Sequence, residues 1–422
     1  MENIRIKCAE TVQNILENKV FFAELKNQFS EKDLPFANML ILTSLRYWCA
    51  LNEILRCFIK KKIPNKHRKA QYVLLLAIAE LLEMETASYA VINETVKNVR
   101  AVSDKFLSGM ANAVLRKIAA DKALWQQKMA QVNPLPDAFL QILNGYDNEQ
   151  IEKIAQSVFE LPKLDLTAKD NPRLWAEKLG AELLPNGSLR LSDTAKITAL
   201  EGYAQGAWWV QDAAAALPVL CMGDVKGKKV VDLCAAPGGK TAQLMARGAE
   251  VTALDISASR LEKLRQNMKR IGFDKVQTIC ADAQEFLQQT PDEVFDAVLL
   301  DAPCSATGTF RRHPEVIHIK TIEDVAQQAL IQEKLLNGCA KIVKKGGIIL
   351  YSVCSIAKAE GEMQIQKFLK NHQHFKITPI ADTDIAGFGN WGNALTVVDG
   401  EIRTMPYWQT DAFFICKLQR II

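Results

Sequence analysis

The chain has 422 residues, of which 49% are apolar and 24% are charged. This length and composition are typical of a globular protein with two or three domains, and they exclude a disordered chain. No apolar run approaches the ~20 residues that cross a bilayer, and the N-terminus has no apolar signal region. We therefore expect a cytoplasmic protein that does not use a membrane.

The chain contains ten cysteines and five histidines. None of the cysteines forms a C-x-x-C pair, so the spacing typical of zinc sites is missing and we expect no metal. Free thiols in a reducing compartment are the natural interpretation. Most of these cysteines are expected to be small buried apolar residues.

Residues 1–135 are predicted to form an all-α bundle. Apolar residues recur at helical spacing in residues 36–51, 72–82 and 109–117, a pattern typical of packed helices. Residues 1–130 carry 20 Lys and Arg against 13 Asp and Glu, with the densest basic run at 60–69. This excess of positive charge favours a polyanionic partner.

Residues 136–212 are predicted to form a linker and a small α+β module, because Pro162, Pro172 and the Pro-Asn-Gly turn at 185–187 punctuate a mixed pattern. From residue 213 to 422, strand-like and helical stretches alternate. This rhythm predicts an α/β, doubly wound, Rossmann-like domain with a parallel sheet. The predicted strands are residues 229–233, 251–255, 276–280, 295–300, 347–351 and an edge strand at 412–418.

The predicted strands end in residues suited to a nucleoside-containing cofactor. The first is followed by a turn rich in small residues, and Asp255, Asp282 and Asp301 stand at the ends of the next three. Ligands of doubly wound sheets bind beyond these carboxyl ends, where an acid can hold ribose hydroxyls. Neither G-x-G-x-x-G nor a complete P-loop is present, which disfavours a dinucleotide and an NTPase.

Two cysteines follow predicted neighbouring strands, Cys304 in Asp-Ala-Pro-Cys-Ser and Cys354 in Tyr-Ser-Val-Cys-Ser. A thiolate is a strong nucleophile. Its addition to carbon 6 of a pyrimidine would let carbon 5 attack a sulfonium methyl group. The residues alone leave open which thiol attacks, and whether both are inert core cysteines.

Three motifs together resemble the RNA cytosine-5 methyltransferases of the NOL1/NOP2/Sun family: DLCAAPGGK at 232–240, DAPCSATGTFRRHPE at 301–315 and YSVCSIAKAEGE at 351–362. Residues 71–78, 90–96 and 112–116 resemble the NusB-like RNA-binding domain of a bacterial branch of this family. Residues 206–212 resemble the segment that enters its catalytic domain. The resemblance therefore covers most of the chain.

The resemblance implies S-adenosylmethionine as methyl donor and carbon 5 of a cytosine in small-subunit (16S) rRNA as target. It implies that Cys354 is the nucleophile, that Cys304 assists release, and that Asp301 and Lys240 position and polarise the base. A monomer is expected. The residues implied to contact the cofactor or the catalytic centre are Cys234, Ala235, Ala236, Pro237, Gly238, Gly239, Lys240, Asp255, Asp282 and Asp301.

Two rivals stay open at this point: the same chemistry on tRNA or large-subunit rRNA, and a non-catalytic RNA-binding assembly factor. The intact set of acids and both cysteines argue against the second. An amino-nitrogen methyltransferase is disfavoured because Ala302-Pro-Cys-Ser replaces the Asn/Asp-Pro-Pro-aromatic sequence that this chemistry uses.

The sequence departs from the family pattern at Val353, where Thr is usual, and at Gly361, where Asn is usual. Residues 166–168 are Leu-Thr-Ala instead of Arg-Val-Asn, which bears on how the connecting module docks RNA.

Several side chains outside the motif cores are candidates for RNA contact. Arg311, Arg312 and His313 are predicted to contact RNA phosphates. Trp208 and Trp209 could stack on a base or pack between modules.

Overall fold

The computed structural model describes residues 3–61, 63–192, 196–380, 395–398 and 400–421. The chain divides into two compact units. Unit 1 contains Met1–Gln141, Asp147–Glu160 and Phe310–Thr321, and unit 2 contains Ile142–Tyr146, Leu161–Thr309 and Ile322–Ile422. The three domains predicted from the sequence, with boundaries at residues 135 and 212, stay a prediction beside these two units.

The helices in the described residues are, in chain order, α1 (Ile4–Asn18), α2 (Phe22–Leu25), α3 (Leu34–Arg46), α4 (Trp48–Phe58), α5 (Arg68–Glu83), α6 (Ser88–Val102), α7 (Lys105–Ala120), α8 (Lys122–Ala130), α9 (Asp137–Ile142), α10 (Asn148–Ser157), α11 (Pro172–Leu179), α12 (Ala213–Cys221), α13 (Gly239–Ala246), α14 (Ala258–Ile271), α15 (Ala283–Gln289), α16 (Val316–Ile319), α17 (Ile322–Ile342) and α18 (Glu362–Asn371). None of them is long and apolar enough to cross a membrane.

Unit 1 is a helical bundle around α5, as the apolar periodicity predicts. Nearly every residue of α5 is buried, because a helix that is apolar on all sides is stable only at the centre of a bundle. Its one buried acid, Glu80, accepts from Arg5 Nη2 at 2.6 Å and Nε at 2.8 Å. The stretch 36–51, where apolar residues recur at helical spacing, lies in two helices, because the helical conformation is interrupted at Tyr47 between α3 and α4.

The segment Phe310–Thr321 belongs to unit 1, although the catalytic-type motifs surround it in the sequence. Phe310 meets Phe139 edge-on at a centroid distance of 6.0 Å, and Ile319 joins the core of the bundle. Glu315 is fully buried and accepts from the backbone N–H of Phe22 at 3.1 Å. The segment is therefore a structural part of the helical unit.

The predicted phosphate contact of Arg311 is wrong. Its residue is 2% exposed, and its guanidinium lies 3.8 Å from the carboxylate of Glu160. Arg312 is exposed and His313 is partly exposed, so the predicted phosphate contacts of these two residues stay predictions.

The strands in the described residues are, in chain order, β1 (Leu164–Ala168), β2 (Glu182–Leu183), β3 (Ser188–Leu191), β4 (Trp208–Val210), β5 (Lys229–Leu233), β6 (Glu250–Asp255), β7 (Gln277–Cys280), β8 (Phe295–Asp301), β9 (Val343–Val353), β10 (Phe375–Ile377), β11 (Leu395–Val398), β12 (Glu401–Thr404) and β13 (Phe414–Arg420).

These strands form two sheets in unit 2. A small antiparallel sheet has the order β2-β3-β1-β4, and with α11 it makes the predicted α+β part. The large sheet has the order β11-β12-β13-β9-β8-β5-β6-β7, with β10 paired to β13. Strands β5 to β9 are parallel, as the alternating pattern predicts.

The predicted edge position of the last strand is wrong. β13 lies inside the sheet, antiparallel to β9 on one side and to β12 on the other. Its first five residues are all buried, which fits the unbroken apolar run of its sequence better than an edge position does.

The two adjacent tryptophans are packing residues. Trp208 is fully buried in the small sheet's core. Trp209 is 5% exposed and packs with Ala235, Ala236 and Leu264 beside the large sheet. Of the two possibilities left open by the sequence, packing between modules is therefore the one the structure adopts.

We expect Arg46→Ala to destabilise unit 1. Arg46 is 4% exposed and donates to the carbonyls of Val158, Glu160 and Arg311, so its loss leaves buried acceptors without a charged donor. Burial lowers its pKa to about 10, so the guanidinium is still charged at neutral pH. The loss should be at least about 2 kcal/mol of unfolding free energy, measured by urea denaturation.

The matched control is Arg56→Ala, which removes an exposed arginine paired with Glu53. This variant should cost under about 0.5 kcal/mol. An equally small loss in Arg46→Ala would contradict its role as the anchor of the 310–321 segment.

Candidate functional site

The parallel strands bring the predicted site residues to one edge of the large sheet. Across this edge, β7, β6, β5, β8 and β9 are neighbours in that order. Asp255 at the end of β6 is in register with Cys280, and Asp301 at the end of β8 is in register with Ser352. The motifs at 232–240, 301–308 and 351–360 are therefore adjacent although they are far apart in sequence.

The turn after β5 is a tight backbone cradle. Cys234 has φ +62° and Gly238 has φ +103°, a region that L side chains rarely adopt. A Cβ at Gly238 would also lie 2.9 Å from Leu264 Cγ. α13 begins at Gly239, so its first backbone N–H groups lack partners within the helix and suit a carboxylate or another anion.

The acid that opens this motif, Asp232, is completely buried. Its Oδ2 accepts from Thr241 Oγ1 at 2.6 Å, and its Oδ1 has no hydrogen-bond partner among the described residues. Burial is the main cause that raises the pKa of Asp232 to about 7. The sequence-based site list omitted this residue, although it precedes the motif's cysteine by only two positions.

Asp255 and Asp282 both hold backbone N–H groups. Asp255 is 2% exposed, and its oxygens accept from the N–H of Ala236 at 3.1 Å and of Ser257 at 3.0 Å. Asp282 caps α15 through one oxygen. Their assignment to the cofactor stays a prediction. Through its hydrogen bond with Ala236, Asp255 also stabilises the turn after β5.

An exposed apolar side chain, Ile256, directly follows Asp255 and is 66% exposed. Its side chain offers an apolar surface on which a planar ring could lie. An apolar residue after a strand-terminal acid is the sequence signal that could have identified it.

Asp301 and Lys240 form an ion pair at the centre of the edge. Lys240 Nζ lies 2.7 Å from Asp301 Oδ2, and Ser352 Oγ donates to Asp301 Oδ1 at 2.8 Å. The ammonium also lies 5.1 Å from the centroid of the Phe413 ring. The side chain of Asp301 remains 31% exposed, so the pair is ordered and still open to a ligand.

The two predicted thiols lie side by side. Cys304 Sγ and Cys354 Sγ are 3.4 Å apart, and both residues are partly buried. The hydrogen bond with Cys354, together with burial, raises the pKa of Cys304 well above the usual range of a thiol. Cys304 therefore keeps its proton and can donate it toward Cys354. Burial also raises the pKa of Cys234 to about 12, which disfavours its thiolate form.

Backbone contact also fixes the Cys354 loop. The N–H of Gly308 donates to the carbonyl of Cys354 at 3.1 Å, and its carbonyl accepts from Ala412 at 2.9 Å. A Cβ at position 308 would lie 2.1 Å from the Ala412 oxygen. Only glycine allows this approach, which explains its place in the DAPCSATG motif.

A buried carboxylate that the sequence-based list missed, Glu360, binds both thiol loops. It accepts from Ser305, which follows Cys304, and from Ser355, which follows Cys354. The repeated dipeptide Cys-Ser was the available sequence signal, because it places a hydroxyl directly after each thiol.

The residues present fit a sulfonium nucleoside such as S-adenosylmethionine. The backbone cradle at 234–240 offers donors, the unpartnered Asp232 oxygen is an acceptor, and Ile256 offers an apolar surface. No group of three His, Cys, Asp or Glu side chains able to hold a metal ion occurs in the described parts of the chain.

Two family models match the sequence. A model described as 16S rRNA methyltransferase RsmB/F matches residues 219–419, and a model of the NusB family matches residues 2–120. Both matches agree with the predicted fold class, a NusB-like bundle joined to a Rossmann-like methyltransferase domain, which is confirmed.

Curated relatives match over nearly the whole length. The ribosomal RNA small subunit methyltransferase B of Citrobacter koseri is 29% identical over 437 residues, covering 99% of each chain. The protein of the same name from Shigella flexneri is 29% identical over 390 residues, which are 87% of this chain and 90% of the other.

Solved structures share the fold. PH0851 superimposes with a TM-score of 0.73 at 22% identity, covering 92% of this chain and 91% of that chain. NSun6 from Pyrococcus horikoshii, crystallised with SFG, gives a TM-score of 0.56 at 19% identity, covering 68% of this chain and 98% of that one.

We expect Asp232→Asn to change stability in a pH-dependent way. The folded-state pKa is raised above the unfolded value, so the folded protein holds a proton that the unfolded chain releases. Wild-type stability is therefore lost as pH rises from about 4 to about 7. Urea unfolding at pH 5, 6 and 8 measures the unfolding free energy of the variant minus that of wild type. This difference should rise by on the order of 1 kcal/mol per pH unit up to pH 7.

Asp274→Asn, at an exposed carboxyl, is the matched control. A constant gap between wild type and Asp232→Asn over this pH range would refute the buried, proton-holding state of Asp232.

Proposed function

Because residues 219–419 belong to the 16S rRNA methyltransferase RsmB/F family and residues 2–120 to the NusB family, we propose that this protein methylates carbon 5 of a cytosine in small-subunit ribosomal RNA. The donor is S-adenosylmethionine, and the reaction passes through a covalent bond between Cys354 and the base. The observation that carries the proposal is the pair of thiols 3.4 Å apart beside the Lys240–Asp301 ion pair.

The carboxyl ends of β5, β6 and β7 would hold the cofactor. The cradle of residues 234–240 would bind its amino-acid end, and Asp255 and Asp282 would bind its nucleoside. Bound S-adenosylmethionine would supply an electrophilic methyl group at this edge of the sheet. The cradle's positive φ angles and the start of α13 support this assignment.

The two thiols divide the chemistry. Cys354 Sγ adds to carbon 6 of cytosine, and the electron pair that moves to carbon 5 makes that carbon nucleophilic. After methyl transfer, a water molecule takes the carbon-5 proton, the C–H electron pair re-forms the double bond between carbons 5 and 6, and the bond from carbon 6 to Cys354 Sγ breaks to release the thiolate. Cys304 stays a neutral thiol because its hydrogen bond with Cys354 and its burial raise its pKa, so its S–H is suited to donate a hydrogen bond that stabilises the departing thiolate.

Asp301 and Lys240 polarise the base while Cys354 attacks. Negative charge develops on the pyrimidine ring during thiolate addition, and a positioned ion pair in a partly dry site stabilises such charge. Asp301 is held from both sides by Ser352 and Lys240, so its orientation is set before the base arrives. The cytosine must leave its stack to reach this pair.

Unit 1 has a basic end suited to RNA. Lys60, Lys61 and Lys66 are exposed in the loop before α5, and Lys105 and Phe106 are exposed at the start of α7. A contact of 3.4 Å between His67 and Asp104 joins these two elements. Positive charge beside an aromatic ring that is 79% exposed matches the needs of phosphates and an unstacked base. Lys62 lies outside the described residues.

Two rival functions remain testable. The same chemistry on tRNA or large-subunit rRNA uses an identical catalytic edge, so only the choice of RNA distinguishes it. A non-catalytic assembly factor would need neither the ion pair nor the two thiols. The small-subunit target is favoured because the relatives from Citrobacter koseri and Shigella flexneri, which match over most of the chain, carry that name.

We expect a covalent protein–RNA adduct whose amount depends on each thiol. Full-length protein is mixed with S-adenosylmethionine and small-subunit rRNA transcript, and adducts are resolved on a denaturing gel. Cys304→Ala should accumulate a shifted band because release fails, and Cys354→Ala should give none. Transcripts of tRNA and large-subunit rRNA are tested in parallel as alternative substrates.

The reverse pattern would exchange the roles of the thiols. An adduct with tRNA or large-subunit rRNA alone would move the target to that RNA. Absence of both adduct and methyl incorporation with all three RNAs would favour the assembly-factor rival.

We expect RNA affinity to depend on salt through the basic end of unit 1. The double variant Lys61→Glu/Lys66→Glu should bind the transcript at least tenfold more weakly at about 0.1 M salt, and its slope of log Kd against log salt should be shallower. Filter binding at four salt concentrations measures both effects.

Arg116→Glu/Lys117→Glu makes the same change of charge on exposed residues near the other end of α7 and should leave the slope close to that of wild type. Equal losses in both double variants would show that net charge alone, and not this end of the bundle, determines binding.

A further inference from the structure

Glu360 accepts four hydrogen bonds in a side-chain network beside the thiols. Its residue is 0% exposed. Oε1 accepts from the backbone N–H of Ser305 at 2.8 Å and from Gln332 Nε2 at 2.9 Å. Oε2 accepts from the hydroxyls of Ser305 and Ser355, each at 2.5 Å.

A buried carboxylate is costly unless hydrogen bonds replace its hydration. Four donors satisfy both oxygens of Glu360, and three of them come from the residues that directly follow the two thiols. Thr307 closes the network, since its hydroxyl lies 2.9 Å from the hydroxyls of Ser305 and Ser355. The position of each thiol loop therefore depends on the same carboxylate.

The network reaches both sides of Cys304. Gln332 of α17 donates to Glu360 and also to the carbonyl of Pro303 at 2.9 Å, while Ser305 binds the carboxylate directly. On the other loop, a separate anchor holds the main chain, because Arg403 donates to the carbonyl of Ser355 at 2.9 Å. Glu360 therefore contacts both Ser305, which follows Cys304, and Ser355, which follows Cys354.

We propose that Glu360 is a positioning residue, which sets the separation of Cys304 and Cys354 by binding the serines that follow them. It thereby couples the adding thiol to the releasing thiol. The catalytic consequence rests on the proposed function, whereas the geometric consequence does not, and the two are tested separately.

The geometric test needs no RNA. Diamide, a mild thiol oxidant, takes two electrons and two protons from neighbouring thiols and leaves a disulfide, so its rate reports how often the two sulfurs meet. The full chain is treated briefly with diamide, and the Cys304–Cys354 cross-link is followed by peptide mass spectrometry. Wild type, Glu360→Ala and Glu360→Gln are compared at a temperature where each is folded by circular dichroism.

Tyr351→Phe is the matched control. Its hydroxyl donates to the backbone carbonyl of Glu360 at 2.7 Å and lies 3.2 Å from Gln332 Oε1. The variant therefore loses buried hydrogen bonds beside the network, including one to Gln332, while the four donors on the carboxylate are all retained in the sequence. We expect cross-linking at least tenfold slower than wild type in Glu360→Ala, intermediate in Glu360→Gln and near the wild-type rate in Tyr351→Phe. Glutamine retains one acceptor oxygen, so its partial rescue separates positioning from a general loss of stability.

Cross-linking of both Glu360 variants at the wild-type rate would overturn the proposal, as would an equal slowing in Tyr351→Phe. If Glu360→Ala does not fold, the Glu360→Gln rate alone decides, since a rate unchanged from wild type is the overturning result.

The catalytic test uses the adduct assay with the two serines separately. Ser355→Ala should slow the appearance of the adduct at least fivefold, because it loosens the loop of the adding thiol. Ser305→Ala should slow its disappearance, because it loosens the loop of the releasing thiol. Slower cross-linking in Glu360→Ala with unchanged adduct kinetics in both serine variants would uphold the positioning by Glu360 and overturn its coupling to catalysis. Absence of any adduct, even in wild type, would instead count against the proposed function.

Discussion

The parallel pairing of β8 with β9 is the constraint on which the site depends. It places Asp301 beside Ser352, and the turns that follow these strands carry Cys304 and Cys354. Fifty residues separate the two cysteines in sequence, and the 21-residue helix α17 lies in the crossover between the strands. Because parallel strands require such a crossover, the long helix and the closeness of the thiols follow from one topological requirement.

Much of the site could be predicted because its residues stand at strand ends. Short apolar runs located β5 to β8 within a residue or two, and the carboxyl ends of parallel strands necessarily meet at one edge. Glu360 was missed for the opposite reason. An acid in the sequence Ala-Lys-Ala-Glu-Gly indicates an exposed turn, because glutamate is rarely buried, and its donors come from residues as distant as Ser305 and Gln332.

The errors in the fold have the same physical origin. Arg311 stands in a basic cluster that is typical of a solvated loop, yet a carboxylate some 150 positions earlier and the packing of helices from unit 1 bury it. The final strand was assigned to an edge by its place at the end of the chain, although its apolar sequence fits the interior. The hairpin of β11 and β12 that covers it has no strong local pattern. In each case tertiary partners decide the outcome, and local sequence does not contain them.

Because unit 1 is made of three separate segments of the chain, it cannot finish folding until the last of them has been synthesised. Its core includes Ile319, and Glu315 accepts a backbone N–H from the start of α2, so the bundle lacks these parts when residue 160 leaves the ribosome. At typical bacterial and eukaryotic rates of about 5–20 residues per second, roughly 8–30 s pass before residue 321 follows. During that interval the nascent helices expose a patch that only a later stretch of the same polypeptide can close. The segments of the two units alternate along the chain. The helical bundle therefore cannot finish folding until part of the methyltransferase domain has also been synthesised.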